Sequence, residues 1–227
     1  MKRLIVLTTL LAVAGLGFGQ ERTVEDVFLQ TTVEKEVIRA LIAESSRAEK
    51  IKALDFLEDM IVDGRVGEND EDVIDLLDEL SSEGIDKEVR SNNRLVNYYP
   101  EVRRRSAQLL GEIGGELAKQ KLLDIVQKDF EPMVLAEAVY SLGLIGTDET
   151  GYVEEVIADL VRVQDVVRPD NNFAFASIAA IRNLVEQSGD SINPVIFSSL
   201  IQIAQGNYIR QVREAANQLL DDLRKRS

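Results

Sequence analysis

Cysteine and histidine are both absent from the 227 residues. That removes disulfides, thiolate nucleophiles, imidazole general bases and the usual zinc ligand sets in one step. A catalyst on this chain would run on Asp, Glu, Lys, Ser or Tyr alone, so no catalytic, cofactor or metal residue is assigned. Tryptophan is missing too, aromatics make up 5% of the chain, and proline occurs 4 times. Leu, Ile, Val and Ala therefore carry a core drawn from 45% hydrophobic residues. Such a composition suits packed helices better than aromatic-rich strands. Positive charge is also scarce: the formal net charge is −14 and the pI about 4.6. A surface of that sign repels phosphate backbones, which argues against nucleic acid as a partner.

Only the first twenty residues hold a long apolar run. Met1-Lys2-Arg3 is basic, Leu4 to Phe18 is apolar, and Gly15, Gly17 and Gly19 precede the polar Gln20-Glu21-Arg22. This is the plan of a secretory signal peptide over residues 1–19, cleaved near Gly19 or Gln20. The run is about 15 residues, against about 20 for a membrane span. An uncleaved anchor is the alternative. No cysteine follows, so lipoprotein attachment is excluded. The expectation is an exported protein, periplasmic where the cell has two membranes, with no transmembrane span after signal removal. Loss of Lys2 and Arg3 takes the net charge from −14 to −16.

What the chain does have is a repeat. Val102-Arg103-Arg104-Arg105-Ser106-Ala107-Gln108-Leu109-Leu110-Gly111-Glu112-Ile113-Gly114 aligns, 32 residues on, with Val134-Leu135-Ala136-Glu137-Ala138-Val139-Tyr140-Ser141-Leu142-Gly143-Leu144-Ile145-Gly146. A looser copy carries Ala176, Ala180 and Leu184; a clear one runs from Val212 through Ala216 to Leu223; the most degenerate holds Ala53 and Leu57. Each reads as an amphipathic helix with apolar residues three and four apart. The small fifth-position residue admits a close neighbour. Pro100 and Pro132 stand where proline starts a helix, and Tyr99, Phe130, Phe173 and Tyr208 precede the copies as packing residues. Second helices lie between, at about 70–82, 116–128, 152–165 and 193–205. A helix pair cannot bury its apolar face alone, whereas stacked pairs bury it for one another.

The pattern resembles the HEAT family, in particular the bacterial HEAT-like repeats first associated with phycobilisome lyases. Residues 100–114 and 132–146 carry the Pro, Val-Arg, small-residue and Leu-Gly-x-Ile-Gly positions well; 210–223 carries them in part. The resemblance covers about residues 46–227 and implies an all-α fold, a right-handed α-solenoid of helix hairpins. It implies a structural role for Arg103 and Arg213 at the recurring arginine position, from which Leu135 and Ser177 depart. Lyase chemistry does not transfer, since no Cys or His is there to perform it. Residues 20–45 form a leader and an N-terminal capping helix, with Val33, Val37, Ile38, Leu41 and Ile42 as its apolar stripe.

Unequal spacing of the copies places insertions at 84–99 and 163–172, and extra loop length in a solenoid is where binding is commonly built. The first coincides with a charge reversal. Residues 55–83 hold twelve acidic side chains and one basic one, Arg65. Lys87, Arg90, Arg94, Arg104 and Arg105 follow as a basic island. It reads either as a docking rim for an acidic protein segment, an anionic glycan or lipid headgroups, or as counter-ions to the acidic helix before it. The acidic run at Glu68–Asp72 reads as a helix start rather than a calcium loop, lacking the spaced ligands and central glycine. On the second helices, Lys121, Asp124, Lys128, Glu155, Asp159 and Arg162 are candidate contacts along a curved binding face. The expected function is a non-enzymatic scaffold gripping a protein partner in the cell envelope. The alternatives are a structural subunit of a larger envelope assembly and, less favoured, a hydrolase or lyase using carboxylates.

Overall fold

The computed structural model describes residues 24–146, 150–188 and 193–226. The expected signal peptide and its cleavage point at Gly19/Gln20 lie outside the described residues. Among the described residues ten helices follow one another: α1 Val24–Ala43, α2 Arg47–Val62, α3 Glu71–Ser81, α4 Pro100–Ile113, α5 Gly115–Lys128, α6 Pro132–Ile145, α7 Tyr152–Val167, α8 Asn171–Ser188, α9 Val195–Gln205 and α10 Arg210–Arg226. The local signals act as sequence chemistry requires. Pro100 and Pro132 occupy the first turns of α4 and α6, where a missing N–H costs nothing. The Asp70 carboxylate caps α3 by accepting from the Val73 amide at 3.3 Å.

Packing runs in two series. The even helices contact in the order α2, α4, α6, α8, α10, and the odd helices in the order α1, α3, α5, α7, α9. The fold is all-α, and a single core runs through it from Ile38 to Leu223. The small residues of the repeat set the spacing of the even row. A Cβ added to Gly111 of α4 would lie 2.4 Å from Ser141 Oγ of α6, and one on Gly143 of α6 would lie 2.4 Å from Ala180 Cα of α8. Ser141 Oγ donates to the Ala107 carbonyl across the same joint at 3.0 Å. Ala53, Ala138, Ala180 and Ala216 are all fully buried. The middle of the even row is packed more closely than that of the odd row, where α5 and α7 barely touch.

The structure corrects the 163–172 loop, the α1 stripe and the aromatic positions, and adds a hairpin to the 84–99 insertion. The 163–172 insertion is no loop: α7 and α8 lengthen to absorb it, leaving only residues 168–170 between them. The 84–99 insertion carries a small hairpin in an otherwise helical chain, β1 Arg90–Ser91 and β2 Arg94–Leu95, antiparallel. Its turn residues Asn92 and Asn93 hold φ of 49° and 62°, the left-handed region that Asn tolerates best after Gly. On α1, Ile38 and Ile42 are buried against the stack, but Val33 and Val37 face outward with Leu29. The aromatic positions also diverge: Phe173 and Tyr208 are core residues, Tyr99 is half-buried, and Phe130 is exposed.

Two measurements check this packing. Gly143→Ala should destabilise the protein by about 1–3 kcal/mol through overpacking, although Ala is the better helix former. Gly67→Ala, with nothing within 4 Å of its Cβ, should shift stability by no more than about 0.5 kcal/mol. Urea denaturation showing Gly143→Ala at or above wild-type stability would contradict the contact. Burial and the neighbouring Asp165 raise the Tyr208 phenol above its ordinary range. The folded state thus holds that proton longer than the unfolded chain, so stability is intact below about pH 10 and falls as pH rises beyond it. Tyr208→Phe should fall less steeply in alkali; equal slopes would show that the phenol is not the cause.

Candidate functional site

The 84–99 insertion is fixed from beneath by buried charge. Glu83, 1% exposed, closes α3 and meets the Lys50 ammonium of α2 at 2.6 Å. Lys50 also donates to the Ile42 carbonyl at the end of α1, at 2.8 Å. The Asn97 amide donates to Glu83 Oε2 at 2.7 Å and to the Lys87 carbonyl, while its oxygen accepts from the Val89 amide at 2.8 Å. Arg103 of α4 is fully buried; its guanidinium donates to both Asp129 oxygens, at 2.6 and 3.3 Å, and to the Glu83 carbonyl at 3.0 Å. The same guanidinium lies 4.8 Å from the Tyr98 ring centre, a cation–π contact. Tyr98 stacks on Phe130 and donates to Glu131 at 2.7 Å; burial and that carboxylate raise its phenol. Gly84 completes the fit. Its φ is 73°, and an added Cβ would lie 2.7 Å from the Asn97 carbonyl oxygen. One polar cluster thus joins the ends of α1, α3 and α5 to α2 and α4, with the hairpin standing on it.

The cations above it do not converge. Lys87 pairs with Glu79 of α3, and Arg90 with Glu88 at 2.8 Å. Arg104 reaches Glu137 of α6 at 2.9 Å, and Arg105 reaches Asp55 and Glu58 of α2 at 2.8 and 2.6 Å. Of the five, Arg94 alone makes no ion pair among the described residues. The register Arg90↔Leu95 and Ser91↔Arg94 sets Arg90 and Arg94 on opposite faces of the hairpin, because side chains alternate along a strand. The acidic run is likewise answered from within: Lys35 of α1 lies 2.8 Å from Asp70 and 3.5 Å from Asp72. Arg213, expected to match Arg103, is exposed.

On the odd row the candidates separate into two groups. Lys121 pairs with Asp78 at 2.8 Å and Asp75 at 3.3 Å, and Lys128 with Asp86 at 2.8 Å. Hydrogen bonds to Asp78 and Asp86 hold these two ammonium groups above their ordinary range. Asp124 is exposed between them. Lys121 thus ties α5 to α3, and Lys128 ties it to the segment that follows α3. On the other side of α5 lies a groove of ≈ 380 Å³, where Glu155, Asp159, Tyr152, Val156, Leu160 and Val163 of α7 face Val126 and Gln127 of α5. Arg162 stands beside it, 3.0 Å from Asp159. Tyr152 is 44% exposed and Val163 43%, so an apolar stripe at helical spacing opens to solvent.

A second apolar surface lies on the even row. α6 has one charged residue in fourteen, Glu137, and Met133, Tyr140 and Leu144 remain exposed on it, as does Phe175 on α8. Sequence reasoning found the charged rim of the groove but not its apolar floor. The stripe Tyr152, Val156, Leu160, Val163 was readable as core spacing, and nothing local says that α5 fails to cover it.

No family model, curated protein or solved structure matches this chain.

The buried pair makes a direct prediction. Asp129→Leu strips a buried guanidinium of its carboxylate and should cost about 3–5 kcal/mol. Adding Arg103→Met should recover part of that loss, since both charges then leave together. A double variant whose cost equals the sum of the single ones would show that the two side chains are not coupled.

Proposed function

We propose that this chain is an exported, non-enzymatic helical-repeat scaffold, a right-handed α-solenoid of HEAT-like hairpins that binds a protein partner in the cell envelope. The observation that carries the reading is the series packing of alternate helices with a recurrent glycine contact at the α4–α6 and α6–α8 joints. Each hairpin touches its neighbours in order, which is the way solenoids build long surfaces for partners. Export is supported by the basic, apolar and small-residue order of residues 1–19. Among the described residues no helix is long and apolar enough to cross a membrane. Two of the buried carboxylates, Glu83 and Asp129, are held by Lys50, Asn97 and Arg103 as structural ion pairs and hydrogen bonds. Contacts to the partner are assigned to the second-helix residues Glu155, Asp159 and Arg162 and, on the opposite side of α5, to Lys121, Asp124 and Lys128. The inserted hairpin, through Arg94 above all, is a further contact.

A second reading, a structural subunit of a larger envelope assembly, draws on a specific observation. Leu29, Val33 and Val37 of α1 and the outward face of α6 leave apolar surface exposed at two separate places, more than one partner site requires.

Size measurement and cross-linked capture separate the two. The scaffold reading expects the purified chain to be a monomer that retains one partner at fixed stoichiometry from native envelopes, reproduced with the recombinant partner. Self-assembly into a defined oligomer, or aggregation relieved by several envelope proteins together, supports the subunit reading. Capture of no partner in repeated trials would end the scaffold reading.

A further inference from the structure

We infer that the groove between α5 and α7 seats one amphipathic α-helix with basic flanks, presented by a partner protein. The inference rests on the scaffold reading and narrows it to one surface and one ligand chemistry. Along α7 the groove residues Tyr152, Val156, Leu160 and Val163 recur at three- and four-residue spacing. That is the seam one helix offers to another. Yet α7 is packed on α9 and barely touches α5, which contributes only Val126 and Gln127 to the opposite wall. The seam runs from residue 152 to 163, about 16 Å at 1.5 Å per residue. It matches three turns of helix, and a helix inserted there lays its i, i+3/i+4 and i+7 apolar residues onto the floor.

The rim decides the sign of the ligand. Glu155 is exposed and makes no ion pair among the described residues; Asp159 is answered only by Arg162, on the same helix, with both side chains largely exposed. Such a pair contributes little and exchanges readily for a better placed cation. The whole chain carries −14, so a cationic segment is drawn in over long range and an acidic one is turned away. Nucleic acid and anionic lipid headgroups meet the same repulsion. Lys or Arg beside the apolar stripe of the incoming helix would sit against Glu155 and Asp159.

The test uses a labelled synthetic 14-residue peptide, Leu at three- and four-residue spacing and Lys on both flanks. Binding to the full chain is read by fluorescence anisotropy at low and physiological salt. Glu155→Lys with Asp159→Lys should weaken binding at least tenfold with helicity unchanged. Asp221→Lys with Asp222→Lys, an equal charge change on α10, should weaken it less than twofold, and a Glu-flanked peptide should not bind. Equal losses in the two double variants would reduce the effect to general charge attraction and overturn the proposal. So would equal binding of the Lys- and Glu-flanked peptides, or a groove occupied by a second copy, seen as dimers that Glu155→Lys with Asp159→Lys dissolves. If the envelope partner still binds that rim variant with wild-type affinity, the groove proposal falls while the scaffold reading stands. Absence of any envelope partner removes the scaffold reading itself.

Discussion

The middle of the stack depends on how closely α4, α6 and α8 approach one another. Gly111 against Ser141 and Gly143 against Ala180 leave no room for even a methyl group: the α4 backbone lies on the Ser141 side chain and the α6 backbone on the backbone of α8. The contact is short-range and steric, and it recurs 32 residues apart because the repeat does. Each helix pair has an apolar face that only its neighbours can cover. The joint therefore fixes both the spacing and the order of the stack. The odd row is looser: α5 and α7 barely touch, and the space between them is the groove proposed to seat a partner helix.

The polar cluster beneath the hairpin works against that economy. Burying Lys50, Glu83, Arg103 and Asp129 removes four charges from water, a penalty that apolar side chains of similar shape would avoid. What the cluster achieves is position. Lys50, Glu83 and Arg103 together tie the ends of α1, α3 and α5 to α2 and α4, and Asn97 spends both ends of its amide on the inserted segment. Apolar packing has no such directionality. A sixteen-residue insertion between α3 and α4 is thereby held against the stack, and the cations there do not gather on a rim: Lys87 turns to α3, Arg90 to Glu88 within the insertion, and Arg104 and Arg105 of α4 to α6 and α2.

The helices were legible because periodicity and local chemistry agree. The second helices expected at 70–82 and 116–128 are Glu71–Ser81 and Gly115–Lys128, bounded by the Asp70 cap and Gly114. The small positions Ala138 and Ala216 were legible too, since a residue that recurs at one register marks a contact. The partners of the charged residues were not. Arg104 and Arg105 are adjacent in sequence, yet a helix turns them toward different neighbours, Glu137 on one side and Asp55 and Glu58 on the other. Asp129 gives no local sign that it faces Arg103, 26 residues earlier. The 163–172 insertion reads as a loop in a spacing count, but Val163, Gln164 and Asp165 have nothing to stop a helix, and α7 runs on to Val167. Groove formation is a property of two helices that fail to meet, and such a failure leaves no mark on either sequence segment.

Because each hairpin leans on its neighbours, stability should depend on place in the stack. Native-state hydrogen exchange measures that directly, helix by helix. Protection should be greatest in α4, α6 and α8, which have packed neighbours on both sides and the glycine contacts between them. Protection should fall stepwise toward α1 at one end and α10 at the other, each of which has a packed neighbour on one side of its row among the described residues. Uniform protection across all ten helices, or a maximum at either end, would contradict a stack held together by nearest-neighbour contacts.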